Sequence, residues 1–293
     1  MSVARPHLLP SAHVPLAVSF KGNRYLRSLL TPPGSVAFAV LVTLVASGLL
    51  APLLAGYGPT FQIRSADLLA PSPAHPFGTD QLGRDLLSRV LHGIRVDVAV
   101  AFLSPPAAAV CGTGLGLLAA SGLRHIDTAL ARLFDVILAF PALILGIGIA
   151  AVMAPGVGAI IATVFLVNVP IFGRVTRDAV ISLREREFVT AARSIGVGTP
   201  RLLYVHILPN TVDALIVQLA LSMSFAVFLE GGMSFVGIGV QPPDPSLGSL
   251  LHNSLPYLAT NPTYALGPML VLTAMVLSLN MTADALNRGV LRR

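Results

Sequence analysis

The chain has 293 residues, of which 54% are hydrophobic and 11% are charged, and its formal net charge is +6. Soluble domains average about 25% charged residues, so the composition excludes an ordinary soluble protein and indicates an integral membrane protein. The positive charge does not indicate nucleic-acid binding, because the arginines stand at the ends of apolar runs and form no single basic face. The single cysteine, Cys111, excludes an intrachain disulfide and a cysteine-based metal site.

The chain divides into a basic, proline-containing leader, residues 1–33, and an apolar domain, residues 34–293. The first apolar run begins near Ser35, and its length favours an uncleaved first span over a signal peptide. About 20 residues cross the hydrocarbon core of a bilayer. Six such spans are predicted, at residues 35–57, 98–121, 133–153, 157–173, 211–229 and 264–284.

Helix-breaking residues divide the middle of the chain. Residues 136–173 carry no charge and are too long for one span at about 1.5 Å per residue. A turn at Ala154–Gly158 therefore separates the third span from the fourth, and Pro141 is expected to kink the third. In the second span, Gly112 and Gly116 have the spacing that permits close contact between membrane helices.

The distribution of arginine predicts the topology. Six spans put both termini on one side of the membrane. The leader, the 122–132 loop, the 174–210 loop and the C-terminal tail are rich in arginine, which places them in the cytoplasm. Residues 58–96, with a short helix around 81–92, and residues 233–263 are then external. The first external loop is an exception to the rule, because it carries four arginines that its aspartates balance only in part.

Residues 174–210 concentrate polar side chains between apolar runs. The simple interpretation is an ordinary positively charged cytoplasmic loop. If the segment is helical, Ala191 and Ala192 give it a surface of little bulk, Gly196 ends the helix, and Gly198–Pro200 begins another. Such a helix–turn–helix has a tip that fits a groove on another protein.

Two groups of residues in this segment resemble the "EAA" loop of the membrane subunits of ABC importers: Thr190-Ala191-Ala192 with Gly196, and Ile207-Leu208-Pro209. The resemblance implies that the loop docks into a cleft on a cytoplasmic ATPase. The coupling residues implied are Thr190, Ala191, Ala192, Arg193, Gly196, Arg201 and Pro209. Thr190 departs from the family, which has a glutamate at this position.

Two further stretches, residues 75–85 and 229–248, resemble signatures of the C-type permease of dipeptide, oligopeptide and nickel importers. The resemblance implies contacts between the external loops and a binding protein, with Asp80, Arg84, Asp85 and Gln241 as candidates. Asp80, Arg84 and Asp85 are equally consistent with a local salt-bridged cap, which we favour. Glu230, Gly231 and Gly232, at the end of the fifth predicted span, are candidates for a gate or a loop anchor.

The resemblance implies an all-α fold with six transmembrane helices and a cytoplasmic coupling-helix loop, that of a type I ABC importer permease. It implies four kinds of partner: membrane lipid, a second homologous permease subunit, two ATP-binding cassette ATPases and an extracytoplasmic substrate-binding protein. The expected location is the inner membrane of a prokaryote, with both termini cytoplasmic. The expected substrates are dipeptides or oligopeptides, and nickel, haem and glutathione remain open alternatives.

No catalytic residue, metal site or cofactor is predicted in this chain. A Walker-type phosphate loop is excluded because Lys21 is the only lysine, so ATP and Mg²⁺ are expected on the partner ATPases. Two rival classes need polar residues inside the spans. A stand-alone secondary transporter needs ionisable groups, and an intramembrane hydrolase needs a nucleophile and a base. The sequence predicts no His, Asp or Glu deep in a span, which argues against both.

Overall fold

A computed structural model describes residues 22–291. This part of the chain is helical and contains no strand, apart from an isolated β-bridge between Thr79 and Asp85. The helices are α1 (Gly22–Leu29), α2 (Pro32–Leu49), α3 (Ala51–Leu54), α4 (Leu86–Ala119), α5 (Arg124–Leu138), α6 (Ala142–Met153), α7 (Val157–Arg184), α8 (Glu187–Ser194), α9 (Thr199–Arg201), a π-helical stretch (Leu202–Ile207), α10 (Leu208–Phe235), α11 (Leu247–Ser254), a 3₁₀ turn (Leu255–Tyr257) and α12 (Thr263–Leu291). The expected all-α fold class is confirmed. Residues 1–21 of the predicted leader, and residues 292–293, lie outside the described residues.

Five helical segments in the described part of the chain are long and apolar enough to cross a membrane. They are α2, α4, α7, the continuous segment Thr199–Phe235 that contains α10, and α12. The pair α5 and α6 passes the same test when it is taken together, although the two helices meet at 89°. Counted this way, the described residues supply the six crossings that the sequence predicts.

The packing of α4 against α7 explains why the bent pair must count as one crossing. Ser104 Oγ donates a hydrogen bond to the Ile161 carbonyl at 2.8 Å. A Cβ placed on Gly112 would lie 2.5 Å from the Val169 carbonyl oxygen. Both contacts have the same offset along the sequence, so α4 and α7 run parallel. The chain therefore returns across the layer between them, through α5 and α6.

Gly112 and Gly116 make this close approach possible. A Cβ on Gly116 would lie 2.5 Å from the Gly173 carbonyl oxygen, which leaves no room for any larger residue. Gly114, which points elsewhere, has no neighbouring atom within 4 Å of its would-be Cβ. The expectation that the Gly112–Gly116 spacing marks a helix contact is thus confirmed, and the contacting partner is α7.

The break between α5 and α6 follows from two features of the sequence. Pro141 ends the first helix, because proline has no N–H to continue the helical ladder, and it serves as the N-cap of α6. α5 is held on α7 by ion pairs, in which Asp127 accepts two hydrogen bonds from Arg177 at 2.6 and 2.8 Å, and Asp135 pairs with Arg174. The predicted kink at Pro141 is therefore a sharp corner.

The helices extend beyond the predicted spans at most of their ends. α4 begins at Leu86, twelve residues before the predicted start of the second span at 98. α7 continues to Arg184, so the first part of the predicted 174–210 loop is helical. The predictions stopped at charged residues, whereas a helix continues wherever those charges are paired or lie outside the hydrocarbon.

Both ends of the described chain lie at one end of the bundle. α2 begins beside the end of α12, since a Cβ on Gly34 would lie 3.1 Å from the Ala285 Cβ. Tyr25 of α1 donates a hydrogen bond to Asp213, near the start of α10. The coupling segment, residues 185–207, joins α7 to α10 at this same end.

Candidate functional site

The coupling segment contains a short helix, α8, that ends where the sequence predicts. Gly196 adopts φ +82°, a left-handed conformation that glycine tolerates and most residues resist. The Gly196 N–H donates to the Arg193 carbonyl at 2.9 Å, and the Val197 N–H donates to the Ala192 carbonyl at 3.1 Å. These two bonds form a Schellman motif, which satisfies carbonyls at the end of α8. The turn brings α8 back against the following helix.

One side of the coupling segment packs against α4 and α7. The buried apolar residues here are Leu117, Ala120, Val180, Val189, Ala192, Leu202, Leu203 and Ile207. Ala192 belongs to this cluster and is only 7% exposed. The expectation that Ala191 and Ala192 both lie on the exposed tip is therefore wrong for Ala192. Adjacent residues of a helix point in different directions, so only one of the two faces outward. Ala191 is exposed.

The other side of the coupling segment, which we call the coupling face, consists of the exposed residues Phe188, Thr190, Ala191, Arg193 and Ile195. Ile195 is 82% exposed and Phe188 is 42% exposed, so two large apolar side chains point away from the protein. Arg201 is also exposed. Sequence reasoning missed Ile195. Its place beside the predicted turn glycine was the available signal.

The coupling segment continues into the membrane without a loop. α9, the π-helical stretch and α10 form one continuous helix, Thr199–Phe235. Pro209 lies inside this continuous helix, directly after the π-helical stretch, so its missing N–H interrupts the helical hydrogen bonds where the helix is already irregular. The fifth span was predicted to begin at 211 after a loop. The structure shows a helical connection instead, because Leu202, Leu203 and Ile207 are buried against α7 and α8.

At the opposite end of the bundle, Asp80 forms a buried charge cluster with two arginines. The Asp80 Oδ2 accepts a hydrogen bond from Arg84 Nε at 2.6 Å and lies 3.5 Å from Arg89 Nε. Its Oδ1 accepts from the backbone N–H groups of Leu82 and Arg84 at 2.9 and 3.0 Å. Asp80 is 0% exposed, and both arginines are buried. The cluster therefore accounts for two of the four arginines in the predicted external loop.

Asp85 anchors the start of α4. Its Oδ2 accepts the Ser88 N–H at 2.7 Å as an N-cap, and its Oδ1 lies 2.9 Å from His75 Nδ1. Asp85 is buried, as are Asp80 and Arg84. These contacts are those of a local salt-bridged cap. A role in contacting a binding protein stays a prediction for these residues and for Gln241, which is exposed and donates to the Gly239 carbonyl at 3.0 Å.

The candidate gate residues do not end the fifth span. α10 runs through Glu230, Gly231 and Gly232 and ends at Phe235. Gly231 is a packing residue, because a Cβ on Gly248 of α11 would lie 2.3 Å from the Gly231 carbonyl oxygen. Glu230 is 0% exposed, and its Oε1 accepts a hydrogen bond from Ser234 Oγ at 2.8 Å.

Sequence reasoning missed Asp97, which directly precedes the predicted second span, residues 98–121. Asp97 lies within α4, is 0% exposed and stands within hydrogen-bonding reach of the Glu230 carboxyl. Asp97 and Glu230 each lie one residue outside a predicted span, yet both are buried inside the longer helices α4 and α10. Helical periodicity was the sequence signal that could have placed Asp97 inside a helix. Asp97 stands four residues from both Gly93 and Ala101, on the same helix face, and all three are buried.

Among residues 22–291, no group of three or more His, Cys, Asp or Glu side chains has the arrangement of a metal site. Three candidate sites stand out in the described part of the chain: the coupling face, the cluster around Asp80 and the buried pair of Asp97 and Glu230. None of them places a nucleophile beside a base. These candidate sites lie at the two ends of the helical bundle and between its helices.

Comparison with known proteins identifies the family. Residues 112–293 match the family described as "Binding-protein-dependent transport system inner membrane component". The chain is 37% identical over 251 residues to the dipeptide transport system permease protein DppC of Alkalihalophilus pseudofirmus. The aligned region covers 86% of this chain and 83% of that protein. It is 37% identical over 259 residues to the di/tripeptide transport system permease protein DppC of Pseudomonas aeruginosa, with 86% and 85% covered.

A glutathione transport system permease protein, GsiD of Pectobacterium atrosepticum, is 33% identical over 216 residues, with 74% of this chain and 72% of that protein covered. An inward-facing structure of the MetNI methionine ABC transporter superposes with a TM-score of 0.57 at 17% identity, covering 70% of this chain and 97% of that one. This likeness shows the fold alone. The family match and the relatives together show that the chain belongs to the inner-membrane permease components of binding-protein-dependent ABC transport systems.

Proposed function

We propose that this permease imports dipeptides and other short peptides, driven by ATP that separate subunits hydrolyse. The names of the relatives support this substrate class, since two relatives at 37% identity are named as a dipeptide and a di/tripeptide transport system permease. Glutathione, itself a tripeptide, is the second candidate, because a relative at 33% identity is a glutathione permease. Both candidates are short peptides, so they share a backbone and a free carboxylate.

The observation that carries the proposal is the coupling face and its connection to the membrane. Phe188 and Ile195 present apolar surface outside the bundle, beside Arg193, and exposed apolar surface with a basic rim is typical of an interface. The segment behind this face continues as one helix to Phe235. A docked ATPase that displaced the coupling face would therefore move α10 directly, since no flexible loop intervenes.

We also propose that the permease functions beside a second, homologous permease subunit. α6 exposes large apolar side chains at Ile144, Val152 and Met153. In a membrane such a surface faces lipid or another helix. A second permease packed against this face of α6 would complete a pathway lined by both subunits.

The substrate proposal is tested with the reconstituted transporter. The chain would be purified with its partner permease, ATPases and binding protein, placed in lipid vesicles, and supplied with ATP and labelled dipeptide. We expect ATP-dependent uptake that unlabelled dipeptides and tripeptides reduce and that nickel or haem does not. The chain alone should hydrolyse no ATP. Competition by glutathione but not by dipeptides would replace the peptide proposal with the glutathione one.

We propose that the coupling segment faces the cytoplasm and that the cluster around Asp80 faces outward. The described end of the bundle that holds α8 also carries Arg186, Arg193 and Arg288 on its surface, and clustered arginine favours the cytoplasmic side. At the opposite end, Arg84 and Arg89 are buried with Asp80. Because Asp80 partly neutralises these two arginines within the fold, they contribute little to the charge that favours the cytoplasmic side.

Orientation is tested by labelling single cysteines in a Cys111→Ala background. Ser194 and Thr260 are both exposed and lie at opposite ends of the bundle, so Ser194→Cys and Thr260→Cys form a matched pair. In intact cells, or in spheroplasts where an outer membrane is present, an impermeant thiol reagent should label Thr260→Cys and should label Ser194→Cys only after the membrane is opened. Labelling of Ser194→Cys alone in intact cells would reverse the proposed orientation.

A further inference from the structure

Asp97 and Glu230 form a carboxyl pair between two membrane helices that no step of the proposed transport cycle uses. Asp97 lies on α4 and Glu230 on α10, both are 0% exposed, and their carboxyls are within hydrogen-bonding reach. Neither Asp97 Oδ1, Asp97 Oδ2 nor Glu230 Oε2 receives a hydrogen bond from any donor in the described chain. Three acceptor oxygens are therefore buried together without a proton donor.

Ser234 is the hydrogen-bond donor at this site, but it leaves the three acceptor oxygens without a donor. Ser234 Oγ donates to Glu230 Oε1 at 2.8 Å and accepts the Val240 N–H at 3.1 Å. These bonds hold the Glu230 carboxyl and leave its Oε2 without a hydrogen-bond partner. An ionised carboxylate accepts hydrogen bonds but donates none. Two ionised carboxylates here would repel each other, and burial would remove the water that normally screens that repulsion.

The helices around the pair supply no compensating basic group. Counted over the described residues, the charged and titratable side chains on the packed elements are remote, paired or exposed: Arg89, His92 and Arg95 on α4, Arg174, Arg177, Asp178 and Arg184 on α7, Asp213 on α10, His252 on α11, and Tyr264, Asp284 and Arg288 on α12. The pair therefore lacks a countercharge from this chain.

The N-terminus of α11 lies against the same junction. A Cβ on Gly93, one turn before Asp97, would lie 3.2 Å from the Leu247 backbone nitrogen. A Cβ on Gly248 would lie 2.3 Å from the Gly231 carbonyl oxygen, next to Glu230. The partial positive charge of a helix N-terminus favours a single negative charge nearby. It suits a pair that keeps one negative charge and loses the other.

We propose that Asp97 and Glu230 bind one proton between them, and that this shared proton holds α4 against α10. The proton converts two repelling carboxylates into an O–H···O⁻ hydrogen bond, with one carboxyl as donor and the other as acceptor. A metal cation suits the site less well. Calcium and magnesium take about six or more oxygen ligands, and no third acidic or imidazole ligand joins the two among residues 22–291.

Infrared spectroscopy of the assembled transporter in lipid tests the bound proton directly. At neutral pH the wild-type protein should show the carbonyl stretch of a protonated, buried carboxylic acid, and the band should shift in D₂O. Asp97→Asn and Glu230→Gln, which keep the shape of the side chains, should each remove it. The band should persist in Asp67→Asn, which changes an exposed aspartate outside this site. Absence of the band from the wild-type protein would overturn the proposal.

The pH dependence of thermal stability provides a second readout. The folded pair holds a proton that the unfolded carboxyls release near pH 4. Raising the pH above about 4 therefore lowers the stability of the folded state relative to the unfolded state. The wild-type Tm should fall by about 3 °C per pH unit as long as the folded pair keeps its proton. Asp97→Asn, whose amide donates to Glu230 at any pH, should flatten this dependence, whereas Asp67→Asn should retain it. An unchanged slope in Asp97→Asn, or restoration of the alkaline Tm by a metal cation, would contradict a shared proton.

Discussion

The Ile195→Glu variant is expected to lose peptide uptake while reaching the membrane at wild-type levels. Ile195 is 82% exposed on the coupling face, so the change disturbs no internal contact. In a docked complex the same side chain would lie in the ATPase cleft, where a buried carboxylate without a partner is strongly unfavourable. Loss of a central interface residue costs about 2 kcal/mol or more, near a thirtyfold loss in affinity. Retention of the ATPase in a pull-down and uptake into vesicles would both be measured.

The matched control for this prediction is Leu123→Glu. Leu123 is 58% exposed, precedes α5 at the same end of the bundle, and lies outside the coupling face. The same change of chemistry there should leave ATPase retention and uptake near wild-type values. If Ile195→Glu also transports and holds the ATPase normally, the coupling face is not the docking surface.

The number and order of the membrane crossings could be predicted because they depend on length and apolar composition alone. The bounds of the crossings could not, since a charge in the sequence does not reveal whether a partner neutralises it. Arg89 illustrates this, because its partner Asp80 is nine residues away and becomes adjacent only when the loop folds. Asp97 and Glu230 illustrate it further, since they are 133 residues apart in the sequence.

The coupling segment shows the same division between local and tertiary information. The turn at Gly196 follows from a local rule, because glycine is the residue that readily adopts positive φ at a helix end. Which of Ala191 and Ala192 faces outward depends on where α4 and α7 lie, and the sequence does not contain that directly. The same tertiary contacts convert the predicted loop before α10 into a continuous helix.

Asp80→Ala is expected to lower the stability of the protein strongly. The change removes the carboxylate that pairs with Arg84 and Arg89, and it leaves two buried guanidinium groups without their countercharge. Breaking a buried ion pair by removing one partner costs about 3–5 kcal/mol. It also frees the backbone N–H groups of Leu82 and Arg84. We expect a Tm lowered by about 10 °C, measured on the purified chain in lipid.

The local effect of Asp80→Ala distinguishes this mechanism from general damage. Arg64 is an exposed arginine in residues 55–85, the segment before α4 that contains Asp80, so trypsin should cleave there faster once the Asp80 cluster is lost. Asp67→Ala provides the control, because Asp67 is an exposed aspartate of that segment with no ion pair to the two arginines. It should change the Tm by less than about 1 °C. Equal stability of Asp80→Ala and Asp67→Ala would show that the segment before α4 does not depend on the buried cluster.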